Sequence, residues 1–378
     1  MIECRPSGGL PASSSDVVLR FENVSKAYAG VNIVNDLSLS LRRGEILTLL
    51  GASGCGKTTT LRMAIGLERC SAGRIFDSNR LIDAPAERVF VPPERRNMGM
   101  VFQSYAVWPH MTVFENVAFP LRARRAPRHL IDERVSAALA MTGLSELAGR
   151  AGTRLSGGQQ QRVAVARSLA FNPNVLLMDE PFSNLDANRR DQLRVEIRAL
   201  QRQLGISILF VTHDQAEALA ISDRLAIMAN GRLEQLGTPR EVYAEPATAF
   251  VRDFLGPWIK LAGVLLARSP GEATVRLREG STLVAGGTDN AGAGEVILAI
   301  RPEQVSVEPA TRAPHGNQLA ARLTSLQFLG RAYAARAELT NGESFAIELS
   351  AAGEWASGQA VLLTLPEPAI SLWPRAAV

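Results

Sequence analysis

The sequence predicts an α/β domain with a mainly parallel sheet, followed by a small all-β domain. In the first part of the 378-residue chain, short apolar segments alternate with longer amphipathic ones, as strands alternate with helices. After about Gly256 the segments become short and alternate between apolar and polar residues, with Gly, Pro and Asn turns between them. The length also favours two domains, which we expect at residues 17–256 and 257–378.

The N-terminal segment and the bulk composition limit the possible environments. The stretch MIECRPSGGLPASSSD has no apolar core like that of a signal peptide and predicts a disordered tail over residues 1–16. Cys4, Cys55 and Cys70 show no CxxC spacing, which favours a reducing compartment. No apolar run approaches the roughly 18 residues that span a bilayer. The net charge of +4 does not by itself indicate nucleic acid. We therefore expect a cytosolic chain.

The elements of the first domain can be predicted in order. VVLRFENV, from Val17, alternates like a strand, and LSLSLRRGEILTLLG predicts a strand, a turn at residues 43–44 and a buried strand at 46–50. TTLRMAIGLE predicts a helix that ends near Gly66. Further helices are expected at 131–144, 157–169 and 187–204, and buried strands within PNVLLMDEP (173–181) and ISILFVTHD (206–214).

A glycine-rich loop, GASGCGKT, lies between the predicted strand 46–50 and the helix that follows it. This is the context of a phosphate-binding loop, in which glycines let backbone N–H groups surround phosphates without Cβ clashes. Lys57 would supply positive charge to the β- and γ-phosphates, and the Thr58 hydroxyl would ligate Mg²⁺. Cys55 is interpreted as a small residue of the loop, with a redox role as the less favoured alternative.

Two acids end a predicted apolar strand in VLLMDE, at Asp179 and Glu180. The carboxyl edge of an open α/β sheet is where ligand-binding groups usually lie. One acid there can hold Mg²⁺ through water, and a second can polarise an attacking water molecule. Solvated strand-end acids are the alternative, but together with the phosphate loop the pair favours nucleotide hydrolysis.

A second helix start suited to anions occurs in LSGGQQQR, Leu155 to Arg162. A capping serine followed by two glycines leaves backbone N–H groups free at the positive end of a helix dipole. A well-capped surface helix is the simpler alternative. The stretch raises the question of why one nucleotide site would need two anion-binding helix starts far apart in sequence.

The ordered motifs resemble those of the ATP-binding-cassette (ABC) ATPases. The resemblance runs from Val17 to about Leu236 and includes the phosphate loop, Gln103 in VFQSYAVWPHMTV, the LSGGQQQR signature, VLLMDEP, SNLD (183–186) and His213 in VTHDQAEAL. It implies an α/β phosphate-loop ATPase domain with a mainly parallel sheet and a helical subdomain. It also implies that the chain binds ATP and Mg²⁺.

The resemblance implies a role for each matched position. Glu180 would be the general base, His213 would contact the γ-phosphate, and Gln103 would sense that phosphate. Tyr28 would stack on adenine, although alone it would more often be an ordinary half-buried tyrosine. The implied metal ligands are Thr58, Gln103 and Asp179. The other implied nucleotide-binding residues are Gly51, Ser53, Gly54, Cys55, Gly56, Lys57, Thr58, Thr59, Ser156, Gly157, Gly158, Gln159 and Asp186.

The resemblance also answers the question of the second helix start. ABC ATPase domains pair head to tail, so the signature helix of one chain would cap the ATP held by the phosphate loop of the other. One ATPase domain per chain implies a homodimer, or a heterodimer with a similar subunit. The stretch 103–112 resembles the segment that meets transmembrane subunits, with Tyr105 and Trp108 as exposed anchors. Packing within the helical subdomain is the alternative for these two rings.

The second domain resembles the regulatory, oligonucleotide-binding-like (TOBE-type) β-barrel of importer ATPases through EVILAIRPEQVSV, 295–307. The favoured role of this domain is to form dimer contacts, and binding of a regulator is the second possibility. No nucleic-acid partner is expected. The whole chain would energise solute uptake at the cytoplasmic face of the inner membrane, with two permease subunits and an extracytoplasmic solute-binding protein. FQSYAVWPHMTVFENVAFPL is closest to the ferric-iron and polyamine groups. Sugar import, and a soluble ABC ATPase acting on nucleic acid or ribosomes, are the alternatives.

Overall fold

The computed structural model describes residues 16–287, 291–292 and 294–375, so the tail expected at 1–16 lies, except for its last residue, outside the described residues. The chain divides into two compact units, Met1–Ala247 and Thr248–Val378. The division comes slightly before the boundary expected after Gly256. The reason is that the short helix Ala249–Phe254 packs with the second unit, where Arg252 stacks on the ring of Trp373.

Unit 1 alternates strands and helices. Its elements are β1 (Val17–Tyr28), β2 (Val31–Arg42), β3 (Ile46–Gly51), α1 (Lys57–Ile65), β4 (Ala72–Asp77), β5 (Arg80–Ala84), β6 (Val89–Phe90), β7 (Met98–Val101), α2 (Val113–Ala123), α3 (Arg128–Met141), α4 (Gly157–Leu169), β8 (Val175–Asp179), α5 (Ala187–Leu204), β9 (Ser207–Thr212), α6 (Gln215–Ile221), β10 (Arg224–Ala229), β11 (Arg232–Gly237) and α7 (Pro239–Ala244).

The central sheet of unit 1 has the order β11-β10-β3-β9-β8-β7 and is parallel except for the edge strand β11. This confirms the predicted α/β fold with a mainly parallel sheet. Strands β3 and β9 are buried along their whole length, as expected for a sheet covered on both faces. Because neighbouring strands run in the same direction, the carboxyl ends of β3, β8 and β9 meet at one edge.

Alternate side chains of the central strands enter two different cores. One core joins the sheet to a five-stranded antiparallel sheet of order β2-β1-β4-β5-β6, and Leu47, Leu177 and Leu209 belong to it. The other core lies under α4 and α5 and contains Leu176 and Phe210. This period-two alternation is why the central strands read as unbroken apolar runs in the sequence.

A helical subdomain is built from α2, α3 and part of α4 around a separate apolar core. Its buried Asn116 ties the preceding loop to α2. The Asn116 Oδ1 accepts from the Trp108 backbone N at 2.8 Å, and its Nδ2 donates to the carbonyls of Trp108 and Thr112 at 3.1 and 3.0 Å. None of the helices in the described part of the chain is long and apolar enough to cross a membrane.

Unit 2 is built almost entirely from strands, as the sequence predicts. Its elements are α8 (Ala249–Phe254), β12 (Ile259–Ser269), β13 (Glu272–Leu277), β14 (Thr282–Ala285), β15 (Glu295–Ile300), β16 (Ser306–Pro309), β17 (Gln318–Phe328), β18 (Ala332–Leu339), β19 (Ser344–Ser350), β20 (Ala360–Thr364) and β21 (Ser371–Pro374). They form two five-stranded antiparallel sheets, β14-β13-β12-β15-β21 and β16-β20-β17-β18-β19, around one shared core.

A buried arginine completes helix α1 and generates a prediction. Arg96 is 1% exposed and donates from Nη1 to the carbonyls of Met63 and Ala64, at the C-terminal end of α1, and from Nε to the Val91 carbonyl, each at 2.7 Å. Arg96→Met should lower the free energy of unfolding of unit 1 by about 1–3 kcal/mol, because these buried carbonyls lose their charged donor. Urea unfolding followed by helical circular dichroism measures it, since α8, six residues long, is the only α-helix among the described residues of unit 2.

The neighbouring Arg95 is exposed and provides the matched control. Arg95→Met should change the free energy of unfolding by less than about 0.5 kcal/mol. Equal stability of the two variants would contradict the assigned role of Arg96.

Candidate nucleotide-binding site

The loop between β3 and α1 has a backbone path that requires glycine. Gly54 and Gly56 have φ of 82° and 100°, in the left-handed region. A Cβ on Gly56 would lie 2.6 Å from the Ile33 carbonyl oxygen, and one on Gly51 would lie 2.3 Å from the Met228 carbonyl oxygen. The loop is therefore shaped by backbone approach, which is how a loop that presents N–H groups to phosphates is made. Ser53 is exposed at its outer turn.

Lys57 begins α1 and points back under this loop. Its side chain is buried, and Nζ donates to the carbonyls of Gly51 at 2.8 Å and Ala52 at 2.9 Å. The Cys55 Sγ lies 3.7 Å from the same Nζ, and Cys55 is packed in the core beneath the loop. The loop thus holds the Lys57 ammonium close to the place where a phosphate would bind.

An oxygen pair joins the loop to the end of β8. The Thr58 Oγ1 donates to the Asp179 Oδ1 at 2.9 Å, and Asp179 is buried. Burial is the largest cause that raises the pKa of Asp179 above its usual value, and the negative charge of Glu180 adds to it. A hydroxyl beside a buried carboxylate is the kind of donor set that Mg²⁺ prefers.

The next residue, Glu180, lies between Gln103 and His213. Its Oε2 accepts from the Gln103 Nε2 at 3.4 Å, and its Oε1 is 3.0 Å from the His213 Nδ1. The φ of Glu180 is 45°, a strained value for a residue with a Cβ. Its backbone N donates to the Val211 carbonyl at 2.9 Å, and its carbonyl accepts from the Ser183 Oγ at 3.0 Å. Hydrogen bonds on both sides of the strained residue therefore hold its backbone in place.

Two supporting residues were not predicted from the sequence. Ser183 bonds to the carbonyl of Glu180, and Asn184 Nδ2 donates to the carbonyl of Gln103 at 3.0 Å. Both belong to the SNLD stretch (183–186), in which the resemblance implies a role for Asp186 alone. The available signal is their position shortly after the two acids, beyond Pro181 and Phe182, where a polar turn is well placed to brace Glu180.

Tyr28 lies at the end of β1, close to the start of α1. Its side chain is exposed, and the Lys26 Nζ lies 4.7 Å from the centre of its ring. Partial burial raises the pKa of the Tyr28 hydroxyl, as does a hydrogen bond with Glu68, whereas one with Thr59 of α1 lowers it. The structure therefore brings Tyr28 to the first turn of the helix that carries Lys57.

The signature residues form a separate group. Ser156 and Gln159 bond reciprocally in a capping box, with Gln159 N donating to Ser156 Oγ at 3.4 Å and Ser156 N donating to Gln159 Oε1 at 3.0 Å. Among the described residues, a Cβ added to Gly158 would meet nothing within 4 Å, and one added to Gly157 would lie 3.9 Å from the Leu185 Cδ2.

Asp186 belongs to the same neighbourhood. It caps α5 by accepting from the Arg189 N at 3.0 Å, and Arg189 lines a hollow of about 250 Å³ with Ser156, Gly158 and Gln159. Among the described residues, the side-chain contacts of the signature group stay within α4, α5 and their caps and do not reach the phosphate loop.

An apolar groove of about 500 Å³ opens beside the loop that follows Gln103. Its walls include the exposed rings of Phe102 and Phe119, and Trp108 packs on Phe119 with ring centres 4.4 Å apart.

The expectation that Tyr105 is an exposed anchor is wrong. Tyr105 is 5% exposed, because its backbone has a φ of 58° that turns the ring into the core under α4 and α5.

Comparisons with known proteins agree with this geometry. Residues 34–183 match the ABC transporter family, and residues 298–373 match the TOBE domain. The chain is 44% identical over 319 residues to the trehalose/maltose import ATP-binding protein MalK of Thermococcus litoralis, covering 82% of this chain and 86% of that protein. It is 44% identical over 336 residues to the spermidine/putrescine import ATP-binding protein PotA of Salmonella typhimurium, covering 88% and 86%.

Two further proteins complete the comparison. The Fe(3+) ions import ATP-binding protein FbpC of Rhizobium etli is 43% identical over 329 residues, covering 87% of this chain and 90% of that protein. Among solved structures, cbiO1 from Clostridium perfringens, part of the ABC transporter complex cbiONQ, is similar with a TM-score of 0.56 and 32% identity. It covers 61% of this chain and 92% of its own.

The raised pKa of Asp179 predicts a stability gain for Asp179→Asn. A carboxyl whose pKa is raised on folding disfavours the folded state once the pH exceeds that pKa, and the effect disappears below the unfolded value. Asp179→Asn should therefore be more stable than the wild type at neutral pH, and the difference should shrink as the pH falls through the raised pKa. Urea unfolding at a series of pH values measures this.

Asp132 is exposed on α3 and provides the control for the pH series. Asp132→Asn should be about as stable as the wild type at neutral pH, because an exposed side chain away from special contacts contributes little. If Asp179→Asn instead loses stability at neutral pH, the buried carboxylate is stabilised by its surroundings and the assignment of its raised pKa is wrong.

Proposed function

This chain belongs to the ABC transporter family, as an ATPase subunit that energises uptake by an importer, and we propose that Glu180 is the general base of its ATP hydrolysis. The observation that carries the proposal is the position of the Glu180 carboxylate, 3.4 Å from Gln103 and 3.0 Å from His213. A carboxylate held between two polar side chains at the carboxyl edge of the sheet is placed to take a proton from a water molecule.

The surrounding residues would bind and orient the substrate. The loop N–H groups and Lys57 would bind the β- and γ-phosphates of ATP, with the Nζ exchanging its bonds to the Gly51 and Ala52 carbonyls for phosphate oxygens. Glu180 would accept the proton of the water molecule whose oxygen forms the new bond to the γ-phosphorus, as the bond to ADP breaks. His213 and Gln103 would hold the γ-phosphate and the water in line.

The residues present also fit a magnesium ion. Thr58 and Asp179 offer hard oxygen donors 2.9 Å apart, and burial raises the pKa of Asp179, so a divalent cation would offset a real desolvation cost. We propose that Thr58, Asp179 and Gln103 hold it. When bound, the ion supplies positive charge to the transferring phosphoryl group. Tyr28 would stack on the adenine ring, since its ring is exposed beside the first turn of α1.

Replacement of the base tests this assignment. Glu180→Gln should lower kcat for ATP hydrolysis by about 10²-fold or more, because the amide cannot accept the proton. ATP affinity should be retained. Phosphate release and calorimetric ATP binding measure the two quantities.

The control for this variant is Glu133→Gln, at an exposed position on α3. It should hydrolyse ATP like the wild type. Equal phosphate release by Glu180→Gln and the wild type would remove Glu180 from the proposed role.

We further propose that two copies of this chain pair head to tail around ATP. Ser156, Gly157, Gly158 and Gln159 would then face the γ-phosphate held by the partner, with Asp186 at the same interface. Support comes from the start of α4, where the capping box occupies the N–H groups of Ser156 and Gln159 but not those of Gly157 and Gly158. It also comes from the space beside Gly158, where an added Cβ would meet nothing within 4 Å. The γ-phosphate would join the two subunits, so its hydrolysis would loosen them.

Gly158→Asp separates this dimer from a surface-helix role. A Cβ at Gly158 meets nothing within 4 Å, and an acid in the first turn suits the helix dipole, so the isolated chain should remain folded. In the Glu180→Gln background, however, the added negative charge should abolish ATP-dependent dimerisation by repelling the partner's γ-phosphate. Light scattering with and without ATP measures the dimer.

The matched control is Gly149→Asp, because a Cβ at Gly149 also meets nothing within 4 Å. It should dimerise normally with ATP in the same background. Dimerisation that persists in Gly158→Asp would place the signature away from the trapped nucleotide.

The partners and the location follow from the same proposal. Each of two permease subunits would dock in the apolar groove of one copy, lined by Phe102, Trp108 and Phe119, and an extracytoplasmic solute-binding protein would deliver the solute. The chain would be peripheral, at the cytoplasmic face of the inner membrane. Phe102 and Phe119 are exposed and Trp108 is half-buried, and aromatic rings around a groove are typical of protein-binding surfaces. The relatives MalK, PotA and FbpC are named as import proteins.

The proposed solute is ferric iron or a polyamine, with a sugar as the alternative. The basis is the FQSYAVWPHMTVFENVAFPL stretch, since identities of 44%, 44% and 43% to the sugar, polyamine and iron relatives do not separate the three. Uptake of labelled ferric iron, spermidine and maltose into vesicles that contain the chain and its permeases, supplied with the solute-binding protein, discriminates among them.

A further inference from the structure

Arg167 is a buried arginine whose position is not explained by the hydrolysis chemistry. It lies near the C-terminal end of α4, the helix that begins with the signature, and is 7% exposed. Its Nη1 donates to the Ala106 carbonyl at 2.6 Å, and its Nη2 donates to the Tyr105 carbonyl at 2.8 Å. The guanidinium carbon also lies 4.7 Å from the centre of the Trp108 ring.

The two carbonyls that Arg167 holds belong to a strained turn. Tyr105 and Ala106 have φ of 58° and 48°, and both carry a Cβ. Consecutive left-handed residues of this kind persist only where the surroundings over-determine them. The turn is short, with Tyr105 N donating to the Phe102 carbonyl at 3.0 Å, so it contains Gln103. The backbone conformation of this turn therefore determines the position from which the Gln103 side chain extends.

The burial of this cation is itself costly. Burial lowers the pKa of Arg167 to about 10, and the contacts described above are two carbonyls and a ring face rather than a carboxylate. An apolar side chain would fill such a position at a lower desolvation cost. The planar fork is what distinguishes arginine here, since it can bind two adjacent carbonyls at once while its face stacks on an aromatic ring.

We propose that Arg167 is a positioning residue, which holds the turn at Tyr105 and Ala106 so that Gln103 stays within reach of Glu180. The proposal rests on the proposed roles of Gln103 and Glu180 in hydrolysis. Arg167 touches neither of them. It acts through the turn, and it ties that turn to the helix that carries the signature.

A double-mutant cycle tests the proposal in the full-length chain, with kcat and KM for ATP as readouts. Arg167→Met should lower kcat about tenfold, the factor commonly lost with one charged hydrogen bond, and should leave KM unchanged. In a Gln103→Ala background, Arg167→Met should lower kcat no further, because the residue through which it acts is already absent. Arg167→Lys, which keeps the charge but not the fork, should give an intermediate kcat.

Arg96→Met is the matched control, because Arg96 is also a buried arginine that binds backbone carbonyls and stacks on a ring, that of Phe90. Its effect on kcat, if any, should multiply with that of Gln103→Ala. A purely structural role for Arg167 predicts the same multiplication for Arg167→Met, and that result would overturn the proposal. A change in KM alone would overturn it too.

The outcomes remain decisive if a variant folds poorly. Should circular dichroism show that Arg167→Met is unfolded, the same cycle with Arg167→Lys decides in the same way.

The Glu180→Gln variant separates the inference about Arg167 from the proposed function. If it hydrolyses ATP like the wild type, the proposed function fails. If it is inactive and the Arg167 and Gln103 effects multiply, only the inference about Arg167 fails.

Discussion

The register between the parallel strands β3, β9 and β8 is the constraint on which the rest of the site depends. Leu50 pairs with Thr212, and Asp179 pairs with Val211, so three strands end at the same level. The loop that leads to Lys57 follows the end of β3, and His213 follows the end of β9. Asp179 is the last residue of β8, and Glu180 follows it. A shift of one residue in either pairing would turn the alternating side chains to the opposite core and separate these groups.

This register also explains why strain is concentrated at the site. The Glu180 N donates to the carbonyl of Val211, which continues the β8–β9 ladder for one residue beyond the strand. The chain must then turn sharply to present the carboxylate, and the φ of 45° is the result. The turn at Tyr105 and Ala106 shows the same combination of left-handed backbone and strong polar restraint. Such conformations persist only where the surrounding fold holds them in place.

Much of the fold could be predicted because its signals are local. The predicted helices 157–169 and 187–204 coincide with α4 and α5, whose N-caps, Ser156 and Asp186, are visible in the sequence. The burial of Tyr105 could not be predicted, because it depends on a strained φ in a loop with no periodicity. The hydrogen bonds from Ser183 and Asn184 could not be predicted for a similar reason. They depend on the turn after Glu180, which places these two side chains beside the carbonyls of Glu180 and Gln103.

The two buried arginines show how the same chemistry serves different ends. Arg96 binds carbonyls at the end of α1, which every helix leaves without intrahelical partners, so it completes an element that is already regular. Arg167 binds carbonyls of a turn that departs from regular structure, within a few residues of a group proposed to act in hydrolysis. Loss of the first removes a helix cap, whereas loss of the second frees a strained turn to relax. Burial lowers the pKa of both side chains to about 10, and for Arg96 the charges of Asp83 and Asp77 oppose that shift. A stabilising arginine and a positioning one therefore share a costly burial and differ in the backbone conformation that each one holds.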